Sequence, residues 1–206
     1  MVGSYTGGMP RVWNETVEAH RRGVREAILD AAWTLVNERG PASVTMSEIA
    51  ERAGIGRATL YKYFADVEMV LAAWHHRHIT DYLDHLIATR DRAGDGVDRL
   101  CAVFVAYCRH HRERARHERH QPHGAELAIL LHRADAQVHA AQQQLHALIR
   151  DLVADAANAG LVREDVGAGE LATYCLHALS AADALDGDAA IDRLVRVVVD
   201  GLHPRS

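Results

Sequence analysis

The sequence predicts an all-α fold, and three observations carry that expectation. Only 4 prolines interrupt 206 residues, while Ala, Leu, Arg and Glu, which enter helices at little cost, are abundant. Apolar residues recur three and four positions apart, the spacing that lines one face of a helix. No stretch alternates polar and apolar residues as a half-buried strand does. The chain is long enough to bury a real core, as one domain or as two small ones.

The elements follow in order. Residues 1–20 open with "MVGSYTGGMPRVWNE", whose glycines suggest a flexible arm. The stretch lacks the charged start and apolar block of a secretory leader. From Val24, the side chains of Ile28, Ala31, Ala32, Leu35 and Val36 share a helix face, which Gly40 and Pro41 end. Thr45 and Glu48 have the spacing of a capping box, in which each side chain bonds the other's free backbone N–H, so a second helix starts there. Ile49, Ala50 and Ala53 face inward. The "AGIG" that follows is a tight turn, with Gly54 supplying backbone angles other residues avoid. A third helix is expected from Arg57 to Tyr63 or Phe64, anchored by Leu60 and Phe64. Asp66 caps a fourth, from about Val67 to Ala88 or beyond. Breaks at 92–98 and 117–124 bracket a fifth, from about Asp98 to Arg116. Ala125 to His132, Asp135 to Asn158, Gly169 to Leu185 and Ala189 to Leu202 complete the expected helices.

Charge and cysteine content narrow the function classes. The net charge of −5 excludes a generally basic coat. Its distribution is uneven, +1 over residues 1–65 and −6 over the rest. Of the 23 basic residues, 22 are Arg, and Lys62 is the single Lys. Cys101, Cys108 and Cys175 form no paired framework and fit a reducing cytosol. No apolar run approaches the 18 or so residues of a membrane span. No phosphate-binding glycine loop, redox cysteine motif or nucleophile elbow occurs, so no enzyme activity and no cofactor are expected.

The stretch "IGRATLYKYF", Ile55 to Phe64, crowds aromatic and cationic residues into a chain that is only 5% aromatic. Two short helices joined at Gly54 make a helix-turn-helix, whose second helix fits the DNA major groove. Leu60 and Phe64 hold that helix from behind. Its front offers Arg57, Thr59, Tyr61, Lys62 and Tyr63, whose hydroxyl, phenol and cationic groups suit phosphate oxygens and base edges. A merely solvated face closing a helical bundle would use similar residues.

"VTMSEIAERAGIGRATLYKYFADVEMVL", Val44 to Leu71, resembles the DNA-binding signature of the tetracycline-repressor (TetR) family. "VREAILDAAWTLVNERG", Val24 to Gly40, resembles that family's first helix. The resemblance implies a three-helix DNA-binding domain over residues 21–66 and a larger helical effector-binding and dimerisation domain over 67–206. It also implies a homodimer on a palindromic double-stranded DNA operator, an unknown small-molecule effector, a repressor role and a cytoplasmic location. By the family pattern, Thr45 touches phosphate, Arg57 and Lys62 read base edges and backbone, and Thr59, Tyr61 and Tyr63 position phosphates. Gly56 stands where the family often has Ser, leaving only its backbone N–H as a donor. Val67 stands where a Lys commonly begins the fourth helix; Arg11, Arg21, Arg22 and Arg25 are candidate replacements for that cation.

"AGLVREDVGAGELA" and "IDRLVRVVVDGL" resemble the family's two dimer-forming C-terminal helices. Leu171, Cys175, Leu179 and Ala182 share one face of the first, and Ile191, Leu194, Val195, Val198 and Leu202 one face of the second. Each stripe could bury within the chain or against a partner. Candidate pocket liners are Trp74, Leu83, Phe104, Tyr107, Leu127, Leu131 and Tyr174, all of which ordinary core packing would also explain. The 15 histidines raise a rival reading, a His-rich metal-binding protein or metalloenzyme. His117, His120 and His123 have chelating spacing. His132, His139 and His146 recur every seven residues, too far apart along a helix for one ion. No set completes a site, so no metal is expected.

Overall fold

The computed structural model describes residues 11–120 and 135–204. Among the described residues there are eight α-helices and no strand. They are α1 (Arg11–Arg39), α2 (Met46–Arg52), α3 (Arg57–Leu60), α4 (Val67–Arg92), α5 (Val97–His120), α6 (Asp135–Asn158), α7 (Ala168–Leu179) and α8 (Asp188–Asp200). Short 3-10 turns follow α1 at Pro41–Ser43 and α7 at Ser180–Ala184. No helix among the described residues is long and apolar enough to cross a membrane.

The described residues form two compact units, 11–75 and 76–120 with 135–204. In the first, Ile28, Leu29, Ala32, Leu35 and Val36 of α1 meet Ile49 and Ala50 of α2, Leu60 of α3 and Val70 and Leu71 of α4. Burying each large side chain contributes about 1.5–3 kcal/mol, which is what holds a four-residue helix in place. Trp33 and Trp74 stack in this core with ring centroids 3.7 Å apart. Two ion pairs brace α1 against α2: Arg39–Glu48 at 2.7 Å and Arg52–Glu38 at 2.8 Å.

In the second unit, α5 packs on α8 and on the 3-10 turn after α7, while α6 packs on α7. Phe104 and Cys108 of α5, Ile149 and Val153 of α6, Cys175 and Leu179 of α7 and Ile191 and Val198 of α8 are all fully buried or nearly so. Gly96, at φ +57°, turns α4 into α5, and a Cβ there would meet the Leu161 side chain.

Four boundaries differ from the sequence reading. Helix α1 begins at Arg11, so residues 11–20, expected as part of a flexible arm, extend it, with 16–20 exposed. No helix-breaking residue lies between Arg11 and Gly23, and the Arg and Glu there propagate helix well. Helix α3 closes at Leu60 instead of Tyr63, because Lys62 and Tyr63 N–H groups bond to carbonyls three residues back, a tighter turn. Helix α5 continues to His120, past the expected break at 117, since the breakers Pro122 and Gly124 come later. The helix expected to reach Leu185 ends at Leu179 and tightens into a 3-10 turn. The expected helix Ala125 to His132 lies outside the described residues.

Candidate nucleic-acid interface

The interface is built from three local devices. Thr45 caps α2: its Oγ1 accepts from the Glu48 N–H at 3.4 Å and donates to Glu48 Oε2 at 2.8 Å, while the Thr45 N–H donates to the same oxygen at 3.0 Å. A cap of this kind stabilises a helix by about 1 kcal/mol. The Thr45 hydroxyl, then its N–H, then Arg39 hold the Glu48 carboxyl below the usual carboxylate range. Helix α2 ends at Gly54, φ +68°, where the Ile55 N–H reaches the Ala50 carbonyl at 3.0 Å and the Gly54 N–H reaches Glu51 at 3.1 Å. That paired closure needs a left-handed residue after the helix, which only Gly supplies without strain. Asp66 then starts α4, its Oδ1 accepting from the Met69 N–H at 2.8 Å.

Between these devices α3 is pinned from one side only. Leu60 is fully buried and Phe64 nearly so, with the Arg25 guanidinium 5.4 Å from the centre of the Phe64 ring. Arg57, Lys62 and Tyr61 are exposed, Tyr61 at 50%. Thr59 and Tyr63 are half-buried and Thr45 is exposed. Among the described residues no hydrogen bond or ion pair engages the side chains of Arg57, Tyr61 or Lys62. Gly56 caps α3 at φ −70°, and a Cβ there would meet only Thr59 Oγ1, at 3.9 Å. Six of the seven positions named from sequence thus fall between Gly56 and Tyr63, with Arg57, Tyr61 and Lys62 turned to solvent, and Thr45 stands apart at the start of α2.

The second unit treats its candidates differently. Leu171, Cys175, Leu179, Ala182, Ile191, Val195 and Val198, dimer-interface candidates that could also bury within the chain, are core residues of their own chain, each at most 6% exposed; Leu194 is half-buried. The physical reason is that α5 occupies the groove those faces form. The outer face of the same two helices carries Tyr174 at 47% and Val197 at 65% exposure, with Gly201 beside Tyr174 Oη. Sequence periodicity gave no sign of it, because the outer positions are mostly small or polar.

The pocket candidates also disperse. Trp74 belongs to the first unit's core and Tyr174 points outward. Leu83, Phe104 and Tyr107 are buried, while Leu127 and Leu131 lie outside the described residues. An open groove of about 570 Å³ lies instead between the end of α4 and the outer face of α5, and none of the five described candidates lines it. The chelating trio proposed at His117, His120 and His123 falls on residues whose side chains are not described. Among the described residues no three His, Cys, Asp or Glu side chains converge as metal ligands.

Comparison with known proteins agrees with this geometry. Residues 28–73 match the bacterial regulatory proteins of the tetR family, and residues 99–204 match the C-terminal domain of SbtR-like transcriptional regulators. An uncharacterised HTH-type transcriptional regulator of Mycobacterium tuberculosis is 52% identical over 52 residues, 25% of this chain and 26% of that protein. The HTH-type transcriptional regulator BetI of Rhizobium meliloti is 33% identical over 96 residues, 47% of this chain and 44% of that one. The chain therefore spans less than half the length of these curated relatives. The structure of Bacillus subtilis FadR in complex with stearoyl-CoA superposes with a TM-score of 0.60 at 15% identity, over 86% of this chain and 99% of that one. With both of its parts matched, over most of the chain, this protein belongs to the TetR family of helix-turn-helix transcriptional regulators.

Proposed function

We propose that the chain is a ligand-responsive repressor that binds a palindromic operator as a homodimer in the cytoplasm and leaves it when a small molecule binds. It acts by binding alone and has no catalytic role. One observation carries the reading: α3 and the tight turn after it offer Arg57, Tyr61 and Lys62 to solvent, unpaired among the described residues, on a segment fixed from behind by Leu60 and Phe64. Arg57 and Lys62 read base edges; Thr59, Tyr61, Tyr63, the Gly56 N–H and the exposed edge of Thr45 position phosphates. The DNA-binding domain runs over 21–66 and the regulatory domain over 67–206.

Dimerisation uses the outer face of α7 and α8, around Tyr174 and Val197, because the inner face is already filled. Two copies then present recognition helices about one DNA turn, roughly 34 Å, apart. A neighbour of the same fold bound to stearoyl-CoA supports a ligand-controlled state. The effector must bind the DNA-free state better than the DNA-bound one, and a coupling of about 1–3 kcal/mol is typical.

The test is a mobility shift on the DNA flanking the protein's own gene. Wild type should give a discrete, competitor-resistant complex that Arg57→Ala abolishes while helical content is unchanged. Equal retention of that DNA by wild type and Arg57→Ala would rule the reading out.

A further inference from the structure

The groove between α4 and α5 has an unbalanced lining. His85 and Arg92 approach from α4, and Arg109 and His110 from α5; among the described residues the one carboxylate on its rim is Glu113. Ala102, Val105 and Ala106 floor it with small apolar surface. Its volume, about 570 Å³, is in the range of sites that hold small organic molecules. The His110 ring lies flat on Tyr82, with centroids 3.7 Å apart, and forms one wall. That imidazole is held neutral at ordinary pH: burial first, then its basic neighbours His78, His111, Arg114 and His85, push its pKa down to about 4. The groove thus sets the guanidinium groups of Arg92 and Arg109 beside an apolar base.

One of its cations is only loosely committed. Asp188, at the start of α8, accepts from Arg112 Nη2 at 2.6 Å and from Arg109 Nη2 at 3.2 Å. Arg112 is 7% exposed, and its Nε and Nη1 have no hydrogen-bond partner among the described residues, where its one ion pair is to Asp188. Arg109 is half exposed and makes the longer contact, so it can turn to another anion without leaving Asp188 unpaired. Arg92 ties its Nε to the Ala88 carbonyl at 2.9 Å, which holds its guanidinium at the groove.

We propose that this groove binds an organic acid, an apolar body on the alanine floor with its carboxylate taken by Arg109 in competition with Asp188. Guanidinium groups grip carboxylates through paired, charge-assisted hydrogen bonds, which makes Arg109 the anchor and Arg92 its support. Binding moves Arg109 off the first turn of α8, so occupancy of the groove alters how α5 is tied to α8. The inference rests on the ligand-responsive reading above and narrows it to a class of molecule.

The experiment uses the full chain and two matched probe pairs, octanoate with 1-octanol and 2-naphthoate with 2-naphthamide. Affinity is read by titration calorimetry and by the rise of the unfolding midpoint with probe concentration. At least one acid should bind and its neutral counterpart should not. Arg109→Gln should weaken the acid about ten- to a hundredfold, the loss expected for one charge-assisted contact. Asp188→Asn, which keeps an acceptor for Arg112 but frees Arg109, should tighten it several-fold. Arg92→Gln should weaken it less than Arg109→Gln. Equal binding of the neutral probes, undiminished binding to Arg109→Gln, no gain in Asp188→Asn, or binding of neither acid would each overturn the proposal. All of this is read without DNA. Failure to bind DNA therefore sinks the regulator reading alone, and loss of acid binding with DNA binding intact sinks this site alone.

Discussion

Helix α3 and the α7–α8 pair make an instructive contrast. Both display a helix face whose residues were named in advance from spacing and family pattern. In α3 the named cationic and phenolic side chains stand in solvent. In α7 and α8 the named side chains lie in the chain's own interior, and a different face is left open. The difference is chemical. An Arg or a Lys on a short helix has little choice but water or a partner, since burying an unpaired charge is prohibitively costly. A Leu or a Val is equally content against its own chain or another, so an apolar stripe announces burial without saying by what. Polar faces declare their direction; apolar faces do not.

The comparison can be broken or sharpened experimentally, starting with the anchor of α3. Leu60→Ala removes a fully buried side chain and should cost about 2–5 kcal/mol of the first unit's stability. All three Trp lie at or before residue 74, so Trp emission during urea unfolding reports that unit. A change under about 1 kcal/mol would mean α3 is not held from behind.

Val197→Asp should leave the fold of each copy intact but dissociate the proposed dimer, at a cost of about 2 kcal/mol or more if Val197 is an interface hot spot. Sedimentation across a concentration series measures it. An unchanged mass at every concentration would return the interface to some other face.

Lys62→Ala and Tyr61→Phe separate reading from positioning. Losing a base contact should cost about 1–3 kcal/mol of discrimination at one operator position, whereas losing a phosphate contact should weaken all sequences alike. Binding to a randomised operator library distinguishes the two. A uniform loss in Lys62→Ala would move Lys62 to the phosphate class.

Acid separates the units as well. A group whose folded pKa is depressed contributes stability that is present above its unfolded value and lost as pH falls toward the folded one. For His110 that window runs from about 6.5 down to about 4. For Glu48 it opens only below the ordinary carboxylate value of 4.5. Between pH 6.5 and 5 the thermal midpoint seen by Trp emission should hold, while that seen by Tyr circular dichroism, with Tyr82 and Tyr107 in the second unit, should fall. His110→Gln should flatten the second curve.

The smallest effect is expected at Gly56. Its φ of −70° suits any residue and its Cβ position is open, so Gly56→Ser should fit. The new hydroxyl should cap α3 for a few tenths of a kcal/mol and add one phosphate donor. Tighter DNA binding with an unchanged sequence preference is the expected result; weaker binding would show that the phosphate backbone already fills that space.

What the sequence disclosed follows the same division. The Thr45–Glu48 cap, the Gly54 turn and the Asp66 cap are short-range devices, and each stands where the residues put it. So does the long helix Asp135–Asn158. The misplaced side chains are long-range cases, and the misplaced helix ends local ones. Whether Trp74 lines a ligand pocket or stacks on Trp33 depends on a residue 41 positions earlier. The Arg109–Asp188–Arg112 cluster joins residues more than 70 apart, and no spacing rule could have proposed it. The end of α3 at Leu60 was missed because the next three residues still turn helically, with tighter bonds.

The solitary lysine has a practical corollary. Amine-directed chemistry has one side-chain target in this chain, Lys62, and it stands exposed beside Tyr61. A dye coupled by an activated ester at a pH that deprotonates the ε-amine would mark that side chain, together with any free α-amine, with no engineered cysteine. Acylation there, by reagent or by enzyme, would erase a positive charge at the end of the recognition segment and touch no other side chain.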